Sequence, residues 1–238
     1  MRGKTGEIYR ILLGYYGPQG WWPLYSRRGT AGYDAEGYAK GVSLKKDAAG
    51  ALSIRDKFEI SAGAVLTQNT SWNNVKLALS RLHGEDLLDP RKIERIPADD
   101  LAVLIKSSGY YNQKAVKLKI LAEFFSEYCT EDSYIPDRNS LLGLWGIGKE
   151  TADSILLYAF GEPFFVVDAY TRRIFSRLGM IDGGEEYDDI AEMFTSELGR
   201  NSMLFGEYHA LIVRHAKEHC RRKPVCAGCV LSEYCGNK

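Results

Sequence analysis

The sequence predicts an all-α fold. Apolar residues recur three and four positions apart over most of the chain, and Gly, Pro and Asn/Asp clusters cut that pattern into helix-sized pieces. The strand-like run Phe164-Phe165-Val166-Val167 is short and has no partner run, so it reads as an extended entry into a helix.

A first helix is expected over Glu7 to Tyr16. Ile8, Ile11, Leu12 and Tyr15 share one face, and Gly14, Gly17 and Pro18 form a breaker cluster. Gly20-Trp21-Trp22-Pro23-Leu24 follows, an aromatic pair stiffened by proline. Residues 25–57 keep no period and are rich in Gly, Ala, Tyr and mixed charge. They are expected to form an inserted surface loop, which is uncommon at that length inside a compact domain. From Phe58 onward helical patterns succeed one another. Phe58, Ala62, Val65 and Leu66 share a face, as do Val75, Leu77, Ala78 and Leu82. Leu101, Val103 and Leu104 precede a stop at Ser107-Ser108-Gly109. Asn112 is expected to cap the next helix, where Ala115, Leu118, Leu121, Ala122 and Phe125 repeat. Asp137 or Asn139 opens a short helix running through Leu144. Thr151 to Phe160 carries Ala152, Ile155, Leu156 and Ala159 at clean helical spacing. Ile190, Ala191, Phe194 and Leu198 repeat it, and so do Leu204, Tyr208, Leu211 and Ile212.

A length of 238 residues allows one large domain or two small ones. A composition 45% hydrophobic and 26% charged excludes a disordered or collagen-like chain. Lys and Arg number 31 against 31 Asp and Glu, so the net charge is zero and no global basic footprint for nucleic acid exists. No apolar run approaches the ~18 residues of a membrane span. Met1 to Glu7 has no apolar stretch behind it, so no secretory signal is expected and the setting should be cytoplasmic and reducing. In that setting clustered cysteines are metal ligands before they are disulfides.

Four segments carry chemistry. Leu144-Trp145-Gly146-Ile147-Gly148-Lys149 lies between two helices, with Ile147 as an apolar anchor between two glycines. The second helix begins near Lys149–Glu150, so its free N–H groups leave the turn as an anion site that needs no excess positive charge. The plainer reading is an ordinary turn with a glycine stop. Asp168 stands 20 residues after Gly148, just before a helical pattern. Taken alone it reads first as an N-cap, and beside that as a carboxylate kept ionised by a helix N-terminus, able to stabilise a sugar cation or activate water. These two readings are compatible. Cys220, Cys226, Cys229 and Cys235 are spaced C-x5-C-x2-C-x5-C, which fits iron–sulfur ligation better than the paired spacing of structural zinc. A rival metal set of His215, His219 and Cys220 leaves three cysteines idle, and Cys129 stands apart as a plain thiol. Finally, Trp21, Trp22, Trp72 and Trp145 all sit in or beside these motifs. Core packing explains each of them, and a Trp-Trp-Pro turn can also serve as a stacking wall.

Together these segments resemble the endonuclease III-like, helix-hairpin-helix superfamily of DNA glycosylases, over about Ile8 to Leu24 and Phe58 to Cys235. The hairpin followed by an aspartate is that superfamily's signature. The four-cysteine tail resembles its [4Fe–4S] loop, with one residue fewer than usual between Cys220 and Cys226. The resemblance implies a helical lobe over 58–163, with its helix-hairpin-helix at about 137–160. A second lobe would combine 1–24 with 164–238 and end in the cluster loop, and the 25–57 insertion has no counterpart. It further implies a monomer acting on damaged double-stranded DNA. The damaged nucleotide would be flipped from the stack at a cleft that holds Asp168.

Closer similarity is to the 3-methyladenine DNA glycosylase branch. It runs through Ala64 to Thr70, Ser108 to Ala115, Gly146 to Asp153 and Val166 to Tyr170. By that resemblance Trp21, Trp22, Pro23 and Trp72 line the base pocket, and Gln68 fills the gap left by the flipped base. Gly146, Ile147, Gly148 and Lys149 would hold a DNA phosphate, joined by Arg221, Arg222 and Lys223. Gln68 also reads as a helix-end amide capping backbone groups. One member of the branch has a lysine in its last helix where this chain has Leu211. Lyase members carry a lysine early in the second hairpin helix; here that position is Glu150, and Lys149 lies about 100° around the helix from it. A water-using, monofunctional glycosylase for alkylated purines is therefore expected. The alternatives are an oxidised-pyrimidine glycosylase/lyase, a thymine or uracil mismatch glycosylase, and a non-catalytic damage-binding module.

Overall fold

In the computed structural model, residues 3–40 and 52–236 are described. Their helices are α1 (Lys4–Tyr16), α2 (Ile54–Thr67), α3 (Trp72–Gly84), α4 (Pro90–Arg95), α5 (Ala98–Leu104), α6 (Tyr111–Tyr128), α7 (Arg138–Leu142), α8 (Lys149–Phe160), α9 (Ala169–Arg177), α10 (Tyr187–Leu198) and α11 (Ser202–Glu218). Among the described residues no β-strand forms, and the fold is all-α. The chain divides into two compact units, Trp22–Gly161 and a second made of Met1–Trp21 with Glu162–Lys238.

In the unit Trp22–Gly161, α2 is buried on every side from Asp56 to Leu66 and packs against α3, α6 and α8. A helix enclosed all round is the core of its unit. It starts at Ile54, ahead of the expected Phe58, because Ser53 and Asp56 form a reciprocal capping box. Asp56 also receives Arg27 in a two-pronged contact at 3.0 and 2.6 Å. One turn on, Glu59 accepts the backbone N–H groups of Tyr25 and Ser26. Leu24, Tyr33, Ile60 and Ala159 close an apolar cluster above these contacts. At Gly37 the backbone φ is +89°, and a Cβ would stand 2.2 Å from the Leu24 carbonyl oxygen, so only glycine fits. Residues 25–40 are thus tied to α2, in contrast to the free surface loop that their lack of period suggests. Their anchors are polar and distant in sequence. Residues 41–51 of the expected insertion lie outside the described residues.

Other local expectations shift for similar reasons. Leu77 and Val103 are 55% and 67% exposed and leave the apolar faces assigned to them. Tyr110, in a left-handed conformation with φ 46°, holds the N-cap position of α6 that Asn112 was expected to fill. Asp137, not Asn139, caps α7 by accepting the N–H groups of Asn139 and Ser140. Helix α4, absent from the sequence reading, opens on an Asp89 cap with Pro90 in its first turn.

The second unit is built on aromatic packing. Phe165 stacks on Phe194 at 3.9 Å, and Phe175, Phe205 and Tyr208 meet that pair edge-on. The run ending in Val167 forms neither strand nor helix and delivers Phe165 to this core, and only Asp168, the N-cap of α9, is seen to be extended, with φ −96° and ψ 179°. Tyr208 of α11 donates to the Thr5 carbonyl at 2.8 Å, and Glu197 of α10 accepts the Thr5 hydroxyl at 2.7 Å. These bonds join α1 to α10 and α11.

Helices α7 and α8 are bolted together by Arg138, whose Nε and Nη2 donate to Asp153 at 2.6 and 2.9 Å. The Asp153 side chain is only 2% exposed. Removing the guanidinium strands a buried carboxylate, so Arg138→Met should lower unfolding stability by about 3 kcal/mol in thermal or denaturant melts. Replacing Asp153 by Leu in the same protein should recover most of that loss, because no unpaired charge then remains.

Candidate functional site

The hairpin between α7 and α8 is held from beneath. Ile147 is buried and its N–H donates to the Leu144 carbonyl at 3.1 Å. Gly146 adopts φ +82°, and a Cβ there would meet the Lys117 side chain at 2.4 Å. Gly148 is the N-cap of α8 and brings no side chain to the first turn. The first turn therefore presents main-chain N–H donors under a favourable helix dipole. Trp145 beside it is 56% exposed, with the Lys117 ammonium 5.9 Å from its ring centre.

Gln68, the C-cap residue of α2, is committed inside this arrangement. Its Nε2 donates to the Gly146 carbonyl and to Thr151 Oγ1, both at 3.0 Å, and its Oε1 accepts Lys117 Nζ at 2.6 Å. The amide thus braces the hairpin. A residue that entered the DNA stack would first have to release all three bonds.

Trp22 and Trp72 are brought together in the same unit, edge to face with ring centres 5.3 Å apart. Trp22 also packs on Tyr158 at 5.3 Å and lies over Gly63, where a Cβ would come within 3.0 Å of it. Tyr38, from the 25–40 segment, hydrogen-bonds to Trp72. Pro23 is buried, whereas Trp21 closes the N-terminal part of the other unit.

In that other unit Asp168 is the N-cap of α9. Its Oδ1 accepts the Thr171 N–H at 2.7 Å and the Thr171 hydroxyl at 3.0 Å. Its Oδ2 lies 3.4 Å from His209 Nε2 on α11. The residue is only 8% exposed. Burial pushes its carboxyl up, but His209 and the two Thr171 donors outweigh this, and the net shift is below the ordinary value of 3.8. The stability this gives is in place above the unfolded value and is lost as pH falls through the folded one. Cap and charged carboxylate are one and the same group.

The opposite end of α9 grips the four-cysteine loop. Arg173 Nε donates to the Cys220 carbonyl at 2.7 Å. Arg177 Nη1 donates to the Arg221 carbonyl at 2.7 Å and lies 3.1 Å from Cys220 Sγ. Cys220, Cys226, Cys229 and Cys235 line one cavity of about 90 Å³. Among the described residues no three His, Cys, Asp or Glu side chains converge on a point that could hold one metal ion. In the rival His215–His219–Cys220 set, His215 is engaged elsewhere, with Nδ1 3.0 Å from the Tyr16 hydroxyl and Nε2 3.5 Å from Cys229 Sγ. Cys129 is fully buried, which pushes its thiol up to about 12 and suits an inert core residue. Arg221, Arg222 and Lys223 are exposed.

Sequence reasoning missed His209, Arg173 and Arg177. A lone histidine in an apolar helical stripe gives no signal of its distant partner. The two arginines stand four apart on α9, and that spacing marks one face.

The profile of the HhH-GPD superfamily of base excision DNA repair proteins matches residues 62–199. A candidate DNA repair glycosylase of Methanocaldococcus jannaschii is 42% identical over 240 aligned residues, covering 98% of this chain and 96% of that one. The endonuclease III of Sulfolobus acidocaldarius is 31% identical over 76% of this chain and 82% of its own. The crystal structure of the H. pylori 3-methyladenine DNA glycosylase bound to 1,N6-ethenoadenine superposes with a TM-score of 0.68 at 26% identity, covering 91% of this chain and 98% of that one.

The hairpin geometry is open to direct test. Gly146→Ala forces a side chain into the left-handed region and against Lys117, and should cost about 1–3 kcal/mol in thermal unfolding. Gly148→Ala meets nothing within 4 Å and has an ordinary φ of −94°, so its cost should stay within about 1 kcal/mol.

Proposed function

The chain belongs to the HhH-GPD superfamily of base excision DNA repair proteins, and from that premise we propose that it is a monofunctional DNA glycosylase for alkylated purines. The observation that carries this reading is Asp168, buried yet ionised, with one oxygen held as a helix cap and the other outside the cap. Cleavage of an N-glycosidic bond builds positive charge on the sugar, and a fixed carboxylate stabilises that charge or steers a water to it. An N-alkylated purine is already cationic and departs without a strong general acid. The ring faces of Trp22 and Trp72 suit such a base. Similarity to the H. pylori enzyme supports the alkylpurine assignment. Glu150 supports hydrolysis over lyase chemistry, because no amine stands at that position to attack the sugar.

DNA is the partner in this reading. Its phosphates would be met by the main-chain donors at Gly146 to Lys149 and by the exposed Arg221, Arg222 and Lys223. With a net charge of zero, non-specific affinity should be modest and salt-sensitive.

Cys220, Cys226, Cys229 and Cys235 would hold a [4Fe–4S] cluster. The donor set fits: four soft thiols line one cavity, the ligands that iron–sulfur clusters take. When bound, such a cluster supplies a covalent cross-link across the loop. Arg173 and Arg177 already fix that loop to α9 through its carbonyls.

On duplex DNA bearing 3-methyladenine or 7-methylguanine, the protein should release the free base and leave an intact abasic strand that breaks only on alkali treatment. Asp168→Asn keeps a capping oxygen while removing the charge, so it should slow release by about 10²–10³-fold, at the cost of the stability that the ionised carboxylate contributes. Failure to release any methylated purine would overturn the substrate assignment. A covalent adduct trapped by borohydride would overturn the monofunctional one. The cluster should appear as brown protein with about four irons per chain, and Cys226→Ser should bleach it; zinc in colourless protein would refute it.

A further inference from the structure

We propose that His209 is the positioning residue for Asp168: its Nε2–H holds the carboxylate oxygen left outside the cap in one orientation. The proposal rests on the glycosylase reading of Asp168 for its chemistry, and on geometry alone for the contact.

A capping aspartate needs only one oxygen. Oδ1 of Asp168 does that work, taking both donors of Thr171. Oδ2 contributes nothing to the cap, and a carboxylate with one unbraced oxygen can rock about its χ2 bond. His209 lies on α11, which packs directly against α9, and its Nε2 is 3.4 Å from Oδ2. That is longer than the 2.7–2.9 Å of a fully charge-assisted bond. One donor occupies one acceptor site of Oδ2, and the other remains for a developing cation. His209 and Asp168 are each 8% exposed, so water does little of this bracing. Lys217, also on α11, senses Asp168 as well.

An apolar side chain at 209 would leave Oδ2 buried without its donor, and burial would then favour the protonated acid. A positioning donor avoids that loss.

Three substitutions separate this role from simple packing. His209→Gln keeps an N–H at nearly the reach of Nε2, His209→Asn withdraws it by one bond, and His209→Leu removes it while filling the space. Single-turnover release of 7-methylguanine from duplex DNA should fall about 10–100-fold in the Asn and Leu variants, with DNA affinity within about twofold, and should be largely restored in Gln. Should the Leu variant fail to fold, the Asn variant carries the same comparison. Carboxyl-carbon NMR of Asp168 in the free protein should show a higher pKa in Asn or Leu than in wild type or Gln. Wild-type rates in both Asn and Leu, or equal losses in all three variants, would overturn the positioning role. If the wild type released no methylated purine at all, the substrate reading alone would fail. The NMR titration would still decide the contact, with an unmoved Asp168 pKa counting against it.

Discussion

A carboxylate buried to the extent of Asp168 stays ionised only if its surroundings supply donors, and α9 is arranged around that requirement. Its first turn provides the Thr171 N–H and hydroxyl, α11 provides His209, and the dipole of the helix adds to both. In the proposed function the position of α9 matters directly, since any shift of its N-terminus would move the charge. The structure fixes the helix at both ends. The N-terminal end follows the run that buries Phe165 against Phe194. The C-terminal end is tied by Arg173 and Arg177 to the backbone of the cysteine loop.

In the proposed function the hairpin meets a different electrostatic problem. A chain of zero net charge has no overall attraction for a polyanion, so contact would rest on local donors. Main-chain N–H groups at the start of α8 would be such donors, and they are only as useful as the turn is rigid. Rigidity comes from three directions. Gly146 adopts a backbone conformation that side-chain-bearing residues rarely take, Gln68 spans from Gly146 to Thr151, and Arg138 locks α7 to Asp153 of α8. The same Gln68 amide is held by Lys117, so a lysine of α6 supports the turn through a neutral relay.

What the sequence disclosed and what it hid divide along physical lines. Helices with a single apolar face were legible, because period alone reports a buried stripe. The Asp168 cap, the glycine hairpin and the four cysteines were legible too, since each is a local pattern with a local cause. Contacts between residues far apart in sequence were not. Glu59 receiving the N–H groups of Tyr25 and Ser26, Asp56 receiving Arg27, and His209 meeting Asp168 leave no periodic trace. That is why residues 25–40 read as unstructured, although their polar backbone is anchored to the most buried helix of the unit. Gln68 shows the converse case. Its place at the end of α2 permitted either a cap or a projecting side chain, and only the position of the hairpin decides that the amide is internally bonded.

The cysteine loop shows how such long-range contacts tolerate a change in local spacing. The interval between Cys220 and Cys226 is one residue shorter than is usual for the loops it resembles. A shortened loop must still turn without straining its ends. Here the Val225 N–H donates to the His219 carbonyl at 2.8 Å, and His219 Nδ1 returns to the Val225 carbonyl at 3.1 Å, closing the interval at its base. Across its crown, Arg177 takes the carbonyls of Arg221 and Arg222. The loop is therefore shaped by protein bonds on both sides, and the four thiols reach one cavity because helix α9 and the end of α11 place them there. A metal centre held in that cavity would complete a preformed turn instead of creating it, and the order it adds would fall on the same helix that carries Asp168.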